Sequence, residues 1–106
     1  MVIIRSIVKT VVRVDPDIED LVPAYLENRA NEHVLFTRFV DMADFEKIQN
    51  LAHKIRGTAG AYGFKELSVI AATVESLAKQ KDVEKIRFEL DHFKQYLESI
   101  ELTHSA

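Results

Sequence analysis

The sequence predicts an all-α protein: an up-down-up-down antiparallel four-helix bundle preceded by an N-terminal extension. Apolar residues recur at alternating steps of three and four through most of the chain, which draws one apolar stripe along an α-helix. The three glycines lie between residues 57 and 63 and both prolines lie before residue 24. Long uninterrupted helices are therefore expected after Pro23, and short connections between them make neighbouring helices antiparallel.

The first helical elements are predicted from proline and capping signals. Asp15 followed by proline is a capped helix start, so a short helical turn is expected over 16–21, which Pro23 then interrupts. A longer helix is expected from about Pro23 to Met42. It carries more apolar residues than one stripe needs, and these either form core beneath the N-terminal segment or leave an exposed apolar patch for a partner.

Three further helices follow from their stripes and boundaries. Asp44 and Asp82 can cap the second and fourth helices, Gly63 can end the second in a left-handed conformation, and the cations of 79–81 suit the end of the third. The apolar stripes are formed by Phe45, Ile48, Ala52, Ile55, Ala59 and Tyr62; by Leu67, Ile70, Val74 and Leu77; and by Val83, Ile86, Leu90, Phe93, Leu97 and Ile100.

The first fourteen residues fit two conformations. Their apolar spacing fits an amphipathic helix, whereas their β-branched content and the alternation Val12-Arg13-Val14 fit a strand. Because no strand partner is evident elsewhere, we expect a helix or an extended segment lying on the bundle. We divide the chain into an extension (1–14), the bundle (15–102) and a tail (103–106).

Length, charge and composition exclude several classes of protein. The 106 residues allow one domain, and the net charge of −3 argues against nucleic acid as the main partner. No apolar run approaches the roughly 20 residues of a membrane-spanning helix, and the start is a poor secretory signal. The absence of cysteine suits a reducing compartment. A free-standing cytoplasmic protein is the expectation.

The stretch from 52 to 64 is the most informative part of the chain. Gly57 and Gly60 lie inside a helix that the apolar stripe requires to continue, and each costs about 1 kcal/mol relative to alanine. At about 100° per residue, both lie on the helix face of His53, one and two turns further on. A helix face cleared of side chains beside a histidine allows a large partner to approach the ring. Packing of helices against the glycines is the alternative explanation.

The surroundings of His53 are predicted from spacing and from the turn at Gly63. Arg56 and Thr58 follow closely on the same helix and supply a cation and a hydroxyl. A reversal of the chain at Gly63 places Glu75 of the third helix across from His53. A carboxylate that accepts from Nδ1–H would fix the tautomer and leave Nε2 as the free nucleophile.

The segment His53-Lys54-Ile55-Arg56-Gly57-Thr58, followed by Gly63 and Leu67, resembles the signature of histidine-containing phosphotransfer (HPt) domains of two-component phosphorelays. The resemblance is dense over about 52–78 and, by helix layout, extends over about 15–100. It implies that His53 is phosphorylated, that Arg56 is the basic helper, that Gly57 clears the surface and that Glu75 lies against the imidazole.

The resemblance also implies a function and partners. His53 would accept a phosphoryl group from the aspartate of a response-regulator receiver domain and pass it to another receiver, downstream of a hybrid sensor histidine kinase. Lys54 and Thr58 would assist Arg56 in neutralising charge, while Gln49, Asn50, Gly57 and Gly60 would form the partner-binding surface. No cofactor is expected, because the receiver supplies Mg²⁺. The chain would be a monomeric carrier and not an enzyme.

Other interpretations concern the fold and the remaining histidines. A helical module that binds signalling proteins without being phosphorylated is the alternative function. His33, His92 and His104 lack the context of His53 and are interpreted as solvated, although a reversal near Met42 would allow His33 to approach His53. The single Glu-x-x-His of 89–92 does not make a metal site, which needs two such motifs facing inward.

Overall fold

The computed structural model describes the backbone of residues 10–104 and the side chains of residues 11–100. It confirms the all-α four-helix bundle, in which each helix packs against its neighbours along the chain and the first packs against the last. The helices are α1 (Val22–Asp41), α2 (Phe45–Ala61), α3 (Lys65–Lys79) and α4 (Val83–Ser99). A 3-10 turn, Glu19–Leu21, precedes α1, where the sequence predicts a short helical turn.

The three helix connections share one geometry. α1, α2 and α3 are each followed by a residue with positive φ, namely Ala43 (53°), Gly63 (89°) and Lys81 (55°). The next backbone N–H then bonds back to a carbonyl of the preceding helix, as Phe64 N does to Ala59 O at 2.8 Å. These tight reversals make the neighbouring helices antiparallel.

The predicted caps are present at two of these turns. A carboxylate oxygen of Asp44 accepts from Lys47 N at 3.2 Å, and one of Asp82 accepts from Lys85 N at 3.2 Å. Each aspartate satisfies a backbone donor in the first turn of its helix. The connections are therefore specified at both ends, by a left-handed residue and then by a cap.

The predicted stripes form the core. Burial is complete or nearly so for Ile48, Ala52, Ile55, Ala59, Leu67, Ile70, Val74, Ile86, Leu90 and Phe93. The surplus of apolar residues in and just after α1 fits both interpretations: Phe36 and Val40 are buried, whereas Leu35 and Met42, the residue after α1, are exposed. Within the described residues, no helix is long and apolar enough to cross a membrane.

The N-terminal segment differs from the helical expectation over its described part. Residues 10–14 form strand β1 (Thr10–Val14), which pairs in parallel with β2 (Ile100–His104) after α4. The side chains of Val12 and Val14 are buried in the core. Accordingly α4 ends at Ser99, whereas the predicted apolar stripe continues to Ile100. Strand β2 extends past residue 102, where the predicted bundle ends and the predicted tail begins. The expectation for residues 1–9 lies outside the described part of the chain.

Candidate functional site

His53 lies on the outer surface of α2. Its neighbours Ala52 and Ile55 are fully buried, so the apolar stripe holds this part of α2 against the core. The next position round the helix carries the imidazole, whose side chain is 64% exposed. The ring is therefore anchored on a rigid element and remains open to solvent.

Glu75 of α3 holds one edge of this ring. Its Oε2 lies 2.9 Å from His53 Nδ1, in the register that the turn at Gly63 predicts. The glutamate side chain is only 11% exposed, so the carboxylate has lost most of its contact with water and gains from a donor. A proton on Nδ1 satisfies it and places the unprotonated Nε2 on the opposite, exposed edge of the ring.

Arg56 contacts both groups. Its Nη1 lies 3.1 Å from Glu75 Oε1, and its Nη2 lies 3.1 Å from His53 Nδ1. Nδ1 cannot donate to the carboxylate and also accept from the guanidinium. Without a proton, Nδ1 would turn its lone pair towards a carboxylate oxygen at 2.9 Å, so the geometry favours donation to Glu75. Arg56 then acts mainly on Glu75.

The two helical glycines leave the surface beside His53 open. Apart from its chain neighbours and the nearby backbone of α2, no heavy atom of the described chain lies within 4 Å of a Cβ built on Gly57, and a Cβ on Gly60 would meet Ser68 Oγ at an ordinary 3.9 Å. Close helix packing therefore does not require glycine at either position. Gln49 and Asn50, one turn before His53, are half-buried and exposed respectively.

Lys54 and Thr58 do not join the cluster around His53. Lys54 is exposed and takes part in none of the ion pairs between described residues. The hydroxyl of Thr58 lies on the other side of α2, 2.9 Å from the hydroxyl of Tyr25 and 3.5 Å from Nη1 of Arg29 in α1. The prediction that Thr58 places a hydroxyl close to His53 is therefore wrong.

The sequence was compared with models of known protein families. The sequence model of the Hpt domain matches residues 14–103. The chain belongs to the Hpt domain family. Members of this family act in phosphotransfer within phosphorelays, as carriers and not as enzymes. No curated protein and no solved structure matches the chain.

A polar cluster between α1 and α2 of this Hpt domain was not predicted from the sequence. Arg29 and Glu32 form an ion pair although both are buried, and the Arg29 guanidinium lies 4.3 Å from the centroid of the Tyr25 ring. Arg29 Nε and the second carboxylate oxygen of Glu32, Oε2, have no hydrogen-bond partner among the described residues. Residues 25, 29, 32 and 36 are separated by steps of four, three and four, so Arg29 and Glu32 share a helix face with Tyr25 and Phe36, which are buried. This spacing could have predicted that the ion pair is buried.

The remaining histidines occupy other surfaces of the Hpt domain. His33 is only partly exposed and is held by α4, not beside His53: its Nε2 lies 2.9 Å from the carbonyl oxygen of Leu90. His92 is partly exposed and lies 3.6 Å from carboxylate oxygens of Glu66 and Glu89. The side chain of His104 lies outside the described part. Residues 11–100 contain no group of three or more side chains that could hold a metal ion.

Proposed function

We propose that this chain is a phosphorelay carrier in which His53 receives a phosphoryl group from the phospho-aspartate of one receiver domain and passes it to another. The contact that carries the proposal is the 2.9 Å approach of Glu75 Oε2 to His53 Nδ1. It selects the tautomer in which the exposed edge of the ring bears the nucleophilic nitrogen. A surface histidine without such a partner would distribute its proton between both nitrogens.

The transfer step follows from this geometry. The lone pair of Nε2 attacks phosphorus, an N–P bond forms, and the bond between phosphorus and the aspartate oxygen breaks with release of the carboxylate. The proton on Nδ1 stays in place, where Glu75 stabilises the positive charge that develops on the ring. Passing the group on reverses these steps. Transfer of this kind depends on in-line positioning and on charge neutralisation.

Arg56 and Lys54 have different parts in the proposal. Arg56 pairs with Glu75 at 3.1 Å, so it holds the carboxylate against the ring and balances its charge. Lys54 is exposed next to His53 in the chain and is available to the phosphoryl oxygens. Gly57 and Gly60, with Gln49 and Asn50, form the surface that the receiver covers.

The proposed partners are receiver domains and an upstream hybrid sensor histidine kinase, all acting in the cytoplasm, with the carrier as a monomer. The receiver would supply Mg²⁺, so the carrier would act without a cofactor of its own. The open surface beside Gly57 supports a large protein partner in preference to a small substrate.

A labelling experiment tests the proposal. Purified protein is mixed with a panel of radiolabelled phospho-receiver domains, and phosphate that is acid-labile and alkali-stable is measured on it. The wild type should gain label and His53→Gln should not, whereas His92→Gln, which changes another exposed histidine, should behave as wild type. A wild type that binds receivers without gaining label would instead indicate an interaction module.

A further inference from the structure

A groove lies at the end of the bundle where α1 turns into α2 and α3 turns into α4. It is lined by residues 42–46, by Gln49 of α2 and by Lys81 of the second turn, and its volume is about 480 Å³. We name it the turn groove. Neither the resemblance to HPt domains nor the chemistry at His53 assigns a role to it.

The turn groove adjoins the surface around His53. Gln49 lines the groove and precedes His53 by one helical turn, or about 6 Å along the axis, and Phe45 lies about 12 Å from His53 in the same direction. An interface of about 1,200 Å² in total, the lower limit for a specific complex, covers roughly 600 Å² per partner, a disc of about 14 Å radius. A receiver centred on His53 therefore reaches the turn groove.

The side chains at the rim of the groove suit protein contact. Met42 is 62% exposed, and its unbranched thioether adapts to the shape of a partner. Lys81 is exposed in the opposite turn and adds a cation. Ala43 and Lys81, the non-glycine residues with positive φ among those described, both line the groove. Glycine would adopt this backbone more readily, but at position 81 it would remove the cation.

We propose that the turn groove is a second contact region for the receiver domain that exchanges phosphoryl groups with His53, and that Met42 and Lys81 determine which receivers bind well. The favoured receiver presents an apolar side chain to Met42 and a carboxylate to Lys81. This inference rests on the proposed function and adds a determinant of partner choice one to two turns away from the reacting atom.

The test compares two phosphodonors. The variant Met42→Ala/Lys81→Asn removes the apolar side chain and the cation, and asparagine tolerates a positive φ. Phe88→Ala is the matched control, because Phe88 is 72% exposed on α4, which packs on α1 and α3 and so lies diagonally across the bundle from α2. Each protein is labelled by a panel of phospho-receivers and, separately, by phosphoramidate, whose P–N bond breaks with release of ammonia as His53 Nε2 gains the phosphoryl group.

We expect kcat/KM of the double variant to fall at least fivefold with the best receiver, through KM, and the ranking of receivers to change. Its labelling by phosphoramidate and both reactions of Phe88→Ala should stay within twofold of wild type. Receiver kinetics within twofold of wild type for the double variant, or an equal loss in Phe88→Ala, would overturn the inference while leaving the carrier function intact. A wild type that no receiver labels would overturn both.

Discussion

The carboxylate of Glu75 lies 2.9 Å from Nδ1 of His53 although 22 residues separate the two along the chain. Arg56 contacts both, so the three side chains form one charged cluster across α2 and α3. The carboxylate is nearly buried and the imidazole is exposed. The fixed partner is thus on the inner edge of the ring and the reactive nitrogen on the outer edge.

Glu75→Ala should slow phosphotransfer from receivers without unfolding the bundle. A hydrogen bond to a charged group contributes roughly 1.5–3 kcal/mol, which corresponds to a loss of about 10- to 150-fold in rate. The rate of phosphotransfer is measured by quenching the labelling reaction at successive times, and the folding of the bundle is measured by circular dichroism. Glu66→Ala, which removes a carboxylate from the exposed first turn of the same helix, should leave transfer unchanged. An unchanged rate in Glu75→Ala would remove Glu75 from the site.

Gly57→Ala should raise the free energy of unfolding by about 1 kcal/mol, because alanine favours the helix and the added Cβ meets nothing within 4 Å. Urea denaturation measures this change. Gly57→Leu should slow labelling by receivers at least tenfold while labelling by phosphoramidate changes little. Gln95→Leu, at an exposed position of α4 on the far side of the bundle from α2, is the control. If receivers label Gly57→Leu at the wild-type rate, the receiver does not cover the surface beside Gly57.

Lys81→Gly should stabilise the fold. Lys81 has a φ of 55°, and the left-handed conformation costs a non-glycine residue about 1–2 kcal/mol, offset by roughly 0.4–1 kcal/mol from the greater entropy of glycine in the unfolded chain. A net gain of between zero and about 1.6 kcal/mol is expected in urea denaturation. Lys79→Gly, which places glycine at the end of helix α3, should instead destabilise. A loss of stability in Lys81→Gly would contradict the left-handed geometry.

Tyr96 should make the fold sensitive to alkaline pH. Burial raises the pKa of Tyr96 from 10.0 to about 12, and Glu66 and Tyr25 act in the same direction. Because the folded state holds the proton more tightly than the unfolded state, this stabilisation is complete below about pH 10 and is lost as the pH rises through about 12. Tyr96→Phe should show a shallower decline of unfolding free energy over that interval. If the free energy of unfolding falls equally with pH in the wild type and in Tyr96→Phe, Tyr96 is not the group responsible.

Local periodicity was sufficient to predict the helices and the site register. The stripe through Ile48, Ala52 and Ile55 orients α2, and one tight turn at Gly63 then limits which residue of α3 can face His53. Thr58 was misplaced because five residues along a helix correspond to about 140° of rotation. Its hydroxyl therefore faces α1 and not the histidine.

The amino-acid sequence by itself determined the four helices, their caps and turns, and the pairing of His53 with Glu75, because these depend on interactions within a turn or between consecutive helices. Only the tertiary structure decided that β1 pairs with β2, that His33 bonds to α4 and that Arg29 and Glu32 are buried together. Ile100 continues the helical stripe, and its role as a strand residue becomes evident only when the bundle brings residues 10–14 beside residues 100–104. Such contacts join residues far apart in sequence. The spacing of apolar residues predicts which face of a helix is buried, but it does not predict which distant segment of the chain packs against that face.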